Sequence, residues 1–321
     1  MNLWWQLPAV LLAALLLDKL LGEPRRFHPL VGFGHWTNAI EGCLNRSNKF
    51  QLFGFLLGAC AWVLAVIPIV IVAAFLDHWL QAYSYLHMLV TAAVLYLAIG
   101  WQSLLQHAQA VAKPLIAGDL SSARQAVGMI VSRDPEQLDT TGVAKAATES
   151  VLENGADAIF SAIFWCVIAG LLGYGIAGVV LYRLANTLDA MWGYRNERFL
   201  QFGWAAARID DLLNFIPARL TALSYTLMGN TRVAWQCWRE QGYNWKSPNA
   251  GPVMASGAGA LNVSLGGEAR YHQQLQVRPA LGPNTQTGRA PSGHTIVDAC
   301  QLVNRALVLW VLVITALAVV L

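Results

Sequence analysis

LFGFLLGACAWVLAVIPIVIVAAFL (Leu52–Leu76) carries no charged side chain from end to end. About 20 apolar residues in a helix are enough to cross the hydrocarbon core of a bilayer, so this stretch reads as a membrane helix. Four further runs extend the pattern: Leu3–Leu21, the less pure Leu86–Leu105, Ile159–Tyr182 and Leu302–Leu321. The fourth of the five in chain order is broken by Gly170, Gly173, Gly175 and Gly178. Leu3–Leu21 does not read as a secretory signal, because it lacks a basic leader and meets Asp18–Lys19 where a small-residue cleavage site would fall.

Composition agrees with a membrane setting. Of the 321 residues, 56% are hydrophobic and 12% charged, with a mean hydropathy of +0.45, where a soluble domain has about 25% charged residues. A net charge of +3 with no basic run excludes nucleic acid as a partner and suits a lipid surface. Cys43, Cys60, Cys166, Cys237 and Cys300 are scattered without a CxxC pair, so they read as small apolar residues. Alternating runs are few and no repeat stands out. The expected fold is all-α: a polytopic integral membrane protein with four to five membrane helices and a polar helical and loop-rich active-site region. Residues 1–321 read as a single membrane-embedded domain in which the Gly- and Pro-punctuated stretch 229–300 forms a polar, loop-rich cap.

Lys19, Arg25, Arg26, Arg46 and Lys49 place the first loop on the cytoplasmic side. A full crossing by 159–182 would export the Lys/Arg-rich stretch 183–300 against that rule. A re-entrant or hairpin segment at the glycine cluster keeps the polar block cytoplasmic, since irregular backbone at membrane depth is tolerated when buried in protein.

Ten of the eighteen acidic residues fall between Asp134 and Asp211. Ionisable groups near apolar segments are functional-site candidates. Lys145, Glu149, Glu153 and Asp157 recur every four residues and form one helical stripe, read either as a solvated face or as a row neutralised by a cation such as Mg²⁺. Arg183, Asn186 and Asp189 recur at i, i+3, as an interfacial cap or as a metal or phosphate contact. Asp210, Asp211 and Asn214 lie between Arg208 and Arg219, as a buried ion-pair network or as a metal site with arginines receiving phosphate. Trp192, Tyr194, Trp204 and Phe215 read as an interfacial aromatic belt or as the rim of a ligand cleft.

Two short motifs mislead. GYGIAG (173–178) matches GxGxxG but follows an apolar helical run instead of a strand. PSGH (291–294), with Arg278–Pro279 upstream, resembles lipid-phosphate phosphatases, but Tyr271 stands where their lysine belongs and no histidine follows His294. No Walker A sequence exists, so any ATP is held without a P-loop.

DKLLGEPRRFHP (18–29), SRDPEQLD (132–139), ESVLENGADA (149–158), YRLANTLDAMWGYRNERFLQFGWAAARIDDLLNFIPARLTAL (182–223), SPNAG (247–251), LGG (265–267) and RPALG (278–282) closely resemble the adenosylcobinamide-phosphate synthases of cobalamin biosynthesis, the CobD/CbiB family. Glu23, Pro135 and Gly155 depart from the family's usual residues without removing a carboxylate from the central block. The resemblance implies a multi-pass protein of the cell (inner) membrane. The implied reaction is ATP-dependent amide formation between adenosylcobyric acid, a corrinoid, and (R)-1-aminopropan-2-ol O-phosphate or free aminopropanol. It implies ATP and Mg²⁺ as cofactors, the bilayer as a partner, and possible docking of other membrane enzymes of the pathway. On that reading Glu153, Asp189, Asp210 and Asp211 are the catalytic candidates. Glu149, Glu153, Asp157, Asp189 and Asp211 are the metal-ligand candidates, and Arg133, Arg208, Arg219, Asn186 and Asn214 contact substrate or phosphate. The rival readings are a transporter, which requires paired broken helices and inverted repeats, and a sensor or scaffold using the charged block as an interaction face.

Overall fold

The structure, a computed structural model, describes residues 4–24, 28–45, 51–131, 135–271, 274–284 and 287–320. The opening run forms α3 (Gln51–Leu80). Its outward residues Leu56, Val63, Val72 and Phe75 are exposed, Phe75 to 70%. An apolar surface of this extent is untenable in water and natural against lipid. Among the described residues four helical stretches are long and apolar enough to cross a membrane: Phe53–Leu80, Ser84–Ile116, Thr140–Gly170 and Gly293–Val320. The protein is thus a helical, polytopic membrane protein.

Three of the apolar runs are shaped differently from the expectation. The first forms α1 (Leu7–Leu21), 15 residues of α-helix that follow directly on a 3₁₀ turn over Trp4–Gln6. The second, α4 (Ser84–Ala98), is followed by α5 (Trp101–Ile116), with extended backbone at Ile99 between them. The glycine-broken run folds as a helical hairpin of α8 (Ser161–Gly170) and α9 (Gly175–Trp192). Gly178 is what lets the two approach: a Cβ there would collide with the Ala169 methyl and lie 2.6 Å from the Trp165 carbonyl oxygen.

Contacts divide the chain into two compact units. The first comprises Met1–Gly100, Ser161–Asn214 and Ile314–Leu321. Within it α1 packs on α4, and α3 and α2 (Pro29–Leu44) on α9. Asp77 is fully buried on α3 and is satisfied by three donors: the Ile176 and Ala177 amides at 3.2 and 2.8 Å and His87 Nε2 at 2.8 Å. The carboxylate caps the N-terminus of α9, where orphan amides and the helix dipole favour negative charge.

The second unit comprises Trp101–Phe160 and Phe215–Val313. Helices α5, α6 (Leu120–Gly128) and α7 (Thr140–Gly155) pack together. Asp119 and Asp139 cap α6 and α7 through the Ser122 and Gly142 amides. A π turn, Ala156–Phe160, follows α7. Helix α10 (Trp204–Met228) begins in the first unit and ends in the second, and α13 (Gly293–Val320) carries the last apolar run.

The stretch 229–300, expected to be loop-rich, instead holds α11 (Thr231–Gln241), α12 (Ala250–Leu261) and an antiparallel hairpin of β1 (Leu265–Tyr271) and β2 (Gln274–Leu281). The small residues of AGPVMASGAGAL serve close packing: Ala250 to Ala260 are all buried and α11 lies against them.

Candidate active site

In the first unit the end of α9 and the start of α10 present a buried carboxylate held by two amides. Asp210, 9% exposed, accepts from Asn186 Nδ2 at 3.3 Å and from Asn214 Nδ2 at 3.0 Å. Each amide is itself oriented. Asn214 Oδ1 accepts from Ser161 Oγ at 2.7 Å and from the Tyr182 hydroxyl at 3.1 Å, so its NH₂ faces the carboxylate. Asn186 Oδ1 accepts from Arg183 Nη1 at 3.4 Å, which turns its NH₂ the same way. Helical periodicity supplies the arrangement: Tyr182, Asn186 and Asp189 fall on one side of α9, and Asp210 and Asn214 are one turn apart on α10.

Asp189 and Asp211 share this environment electrostatically. Burial, and then the charge of Asp211, push the Asp189 carboxyl up to about 6. Burial, and then the charge of Asp189, push Asp210 up to about 7, against the opposing pull of the two asparagine amides. Asp211 is raised by burial and held back by Arg208 and Arg195. The Arg208–Asp211 pair is long, 3.5 Å, and Arg208 is exposed, so it screens the carboxylates weakly. Three carboxyl groups in a desolvated setting with too little positive charge favour binding of a proton or a cation.

The second unit holds the other carboxylates. Glu149, 2% exposed, receives Arg278 Nη1 and Nη2 at 2.9 and 3.1 Å and the Gly266 amide at 2.8 Å. That amide is presented by a β-bulge at Gly266–Gly267, both with positive φ. Lys145 Nζ donates to the Gly266 carbonyl at 3.0 Å, and the Arg278 guanidinium lies 5.2 Å from the Trp245 ring. Both oxygens of Glu149 are therefore engaged inside the protein, and metal ligation would require breaking a buried ion pair. Glu153 is half-buried, and Asp157 lies on the π turn. The wider turn interrupts the four-residue stripe at its last member, and such turns recur at functional sites.

Arg219 belongs to this unit as well. Its donors go to the Phe215 carbonyl at 2.7 Å, Asn249 Oδ1 at 3.1 Å and the Pro248 carbonyl at 3.3 Å, and its guanidinium stacks 3.5 Å from the Phe215 ring centre. It secures the SPNAG segment. Arg133 lies outside the described residues.

The site thus brings together Asn186, Asp189, Asp210, Asp211, Asn214 and Arg208, while Glu149, Glu153, Asp157 and Arg219 belong to the other unit. Among the described residues no group of three or more His, Cys, Asp or Glu side chains is arranged to hold a metal ion by itself. Magnesium, however, binds through one or two carboxylates plus substrate phosphates, and the neighbouring Asp189 and Asp211 carboxylates fit that mode. Of the expected aromatic rim, Trp192 is buried, with its ring centre 5.0 Å from that of Phe202. Trp204 meets Phe55 edge to face and Phe215 stacks on Arg219, while Tyr194 stays exposed. Sequence reasoning missed Ser161 and Arg278 as partners of the site residues. Ser161 carries no local signal, whereas Arg278 is a lone cation in the RPALG motif.

A buried carboxylate held by two amides, in a chain that carries helices able to cross a membrane, defines a polytopic membrane protein with an internal ionisable site. The chain belongs to the CobD/Cbib protein family, whose model matches residues 11–303. A relative from Chromobacterium violaceum, named "Cobalamin biosynthesis protein CobD", is 54% identical over 301 residues, 92% of each chain. One of the same name from Stutzerimonas stutzeri is 53% identical over 94% of this chain and 95% of its own. One from Mycobacterium tuberculosis is 38% identical over 89% and 88%. No solved structure matches the chain at a significant level.

Proposed function

We propose that this protein is the ATP-dependent ligase of cobalamin biosynthesis that joins the f-side-chain propionate of adenosylcobyric acid to the amine of (R)-1-aminopropan-2-ol O-phosphate, giving adenosylcobinamide phosphate. One observation carries the reading: the segment 182–223, the longest of the family-like motifs, contributes Asn186, Asp189, Asp210, Asp211 and Asn214 to a single desolvated network. A ligase handling two phosphorylated substrates needs such a concentration of metal-binding and proton-accepting oxygens.

An unactivated carboxylate does not condense with an amine at neutral pH. In the proposed route the γ-phosphoryl group of ATP passes to a propionate oxygen and ADP leaves. The amine nitrogen then attacks the acyl carbon, the C–O bond to phosphate breaks, and the surplus ammonium proton is taken up by a carboxylate. Catalysis of the first step consists mostly of positioning and charge neutralisation. Asp189 and Asp211 are the residues that would hold magnesium, which supplies that neutralisation on the phosphates. Asp210, fixed by Asn186 and Asn214 and pushed up to about 7, has the proton affinity of a general base at neutral pH. Arg208, half-exposed beside Asp211, is placed to meet phosphate oxygens. We place this chemistry on the cytoplasmic side of the inner membrane, where the Lys/Arg-rich loops belong.

The test is to incubate purified protein with adenosylcobyric acid, aminopropanol phosphate and MgATP, and to follow cobinamide phosphate by mass together with ADP release. Both products should accumulate in equal amounts. Absence of product, under conditions in which the Chromobacterium violaceum relative forms it, overturns the assignment. Replacing the phosphorylated amine by free aminopropanol shows which form is the substrate.

A further inference from the structure

Helices α2, α3, α4 and α9 of the first unit enclose a cleft of about 590 Å³ whose walls include Phe33, Pro68, Val94, Leu97 and Val180. The volume lies within the range of small-molecule sites. The lining is aliphatic and aromatic apart from two residues, His28 and Arg183. Arg183 makes no ion pair among the described residues. Its Nη1 donates to Asn186, and its buried Nε has no hydrogen-bond partner among the described residues. A half-buried guanidinium that lines an apolar wall without a counter-charge is costly, and an anion arriving in the cleft would supply that charge. His28 caps α2 with Nδ1 accepting from the Leu30 amide at 3.2 Å, so in the neutral ring the proton sits on Nε2, a second donor for the same anion.

We infer that this cleft is a lipid site: an anionic phospholipid seats one acyl chain along the apolar wall and brings its phosphate to Arg183. Charge complementarity and setting choose the occupant. The cleft is walled partly by α3, the most apolar membrane-crossing helix, so acyl chains surround it, and its one unpaired charge is positive. The amide-rich rim of a corrinoid would be left without partners against these walls, and a small phosphorylated amine would leave the apolar volume unfilled. Because Arg183 orients Asn186, which in turn donates to Asp210, the bound headgroup also connects lipid composition to the carboxylate network. This inference does not depend on the ligase assignment.

The experiment uses the full chain reconstituted in vesicles of phosphatidylglycerol and phosphatidylcholine, 1:1, followed by mild extraction and native mass spectrometry of retained lipid. Wild type should retain phosphatidylglycerol over phosphatidylcholine. Arg183→Gln should lower that preference about fivefold, the effect of about 1 kcal/mol for one cation at an anionic lipid. Gly32→Leu is the second variant. Gly32 lines the cleft and a Cβ there meets nothing within 4 Å, so the side chain fills the cleft without displacing backbone and should reduce retention of both lipids. Equal retention of the two lipids by wild type, or unchanged preference in Arg183→Gln, overturns the inference. Release of the lipid by added adenosylcobyric acid also overturns it, by giving the cleft to that substrate.

Discussion

Asp210 is the residue on which structural and chemical demands conflict most openly. Its environment holds its carboxyl at about 7, so the protein bears a destabilising charge there once the pH exceeds that value. Asp210→Asn removes the charge at nearly constant shape. It should raise the thermal unfolding temperature above pH 7 while lowering ligation 10²- to 10⁴-fold, the usual effect of losing a general base. A variant with unchanged turnover assigns Asp210 a purely structural part. Asn214→Leu addresses the support of the carboxylate. It leaves the Ser161 hydroxyl, the Tyr182 hydroxyl and one oxygen of Asp210 without the Asn214 partner, at about 1–3 kcal/mol for each buried group stranded. Unfolding in detergent should report a loss of at least that size. The residue types of this network were legible in NTLDAMWGYRNER and ARIDDLLNFIPAR, because Asn and Asp next to apolar helix need a reason to be there. Their pairing was not legible, because Ser161 meets Asn214 across 53 positions of sequence.

At the scale of elements, the buried ion pair between α7 and β2 and the hairpin of α8 and α9 make separate predictions. Arg278→Met alone leaves the buried Glu149 carboxylate without its cation and should cost about 3–5 kcal/mol, whereas Glu149→Leu combined with Arg278→Met should recover most of that loss. Unfolding of the four proteins of this cycle measures the coupling directly. A recovery of nothing would show that Glu149 is needed for more than its partner. For the hairpin, Gly178→Leu places a side chain where the Ala169 methyl and Trp165 carbonyl already lie. The expected outcome is loss of monodisperse protein on size-exclusion chromatography. The hairpin was anticipated from the glycine cluster, since four glycines in an apolar run signal close approach or a turn. The helices of 229–300 were not. Gly, Pro and Ser disfavour helix interiors by local propensity, and only a neighbouring helix such as α11 turns their small size into packing.

For the molecule as a whole, the carboxylate network ties stability to pH. The folded protein holds protons on Asp189 and Asp210 up to about 6 and about 7, against an ordinary value of 3.8. Between pH 4 and 7 the folded state therefore binds more protons than the unfolded chain, and stability falls as pH rises through that window. Unfolding temperatures at pH 5, 6, 7 and 8 should decline accordingly, and the decline should flatten in the Asp189→Asn/Asp210→Asn double variant. Magnesium with ATP should offset the decline at pH 8 in wild type by compensating the ionised carboxylates. On the proposed function, activity should rise with pH toward 7 as these groups ionise, so the conditions for best turnover and best stability should differ. That opposition is expected where a site depends on ionised groups in a desolvated place.

Composition and periodicity alone determined that this chain is helical and membrane-bound, and they singled out the polar segments that distinguish its family, because burial in lipid is decided residue by residue along the chain. Only the tertiary structure decided that Glu149 is committed to Arg278 and that Arg183, with no ion pair among the described residues, lines an apolar cleft. Each of these depends on which groups, distant in sequence, come to share a space from which water is excluded. The strength of an electrostatic interaction is set by that space and not by the residue's own chemistry.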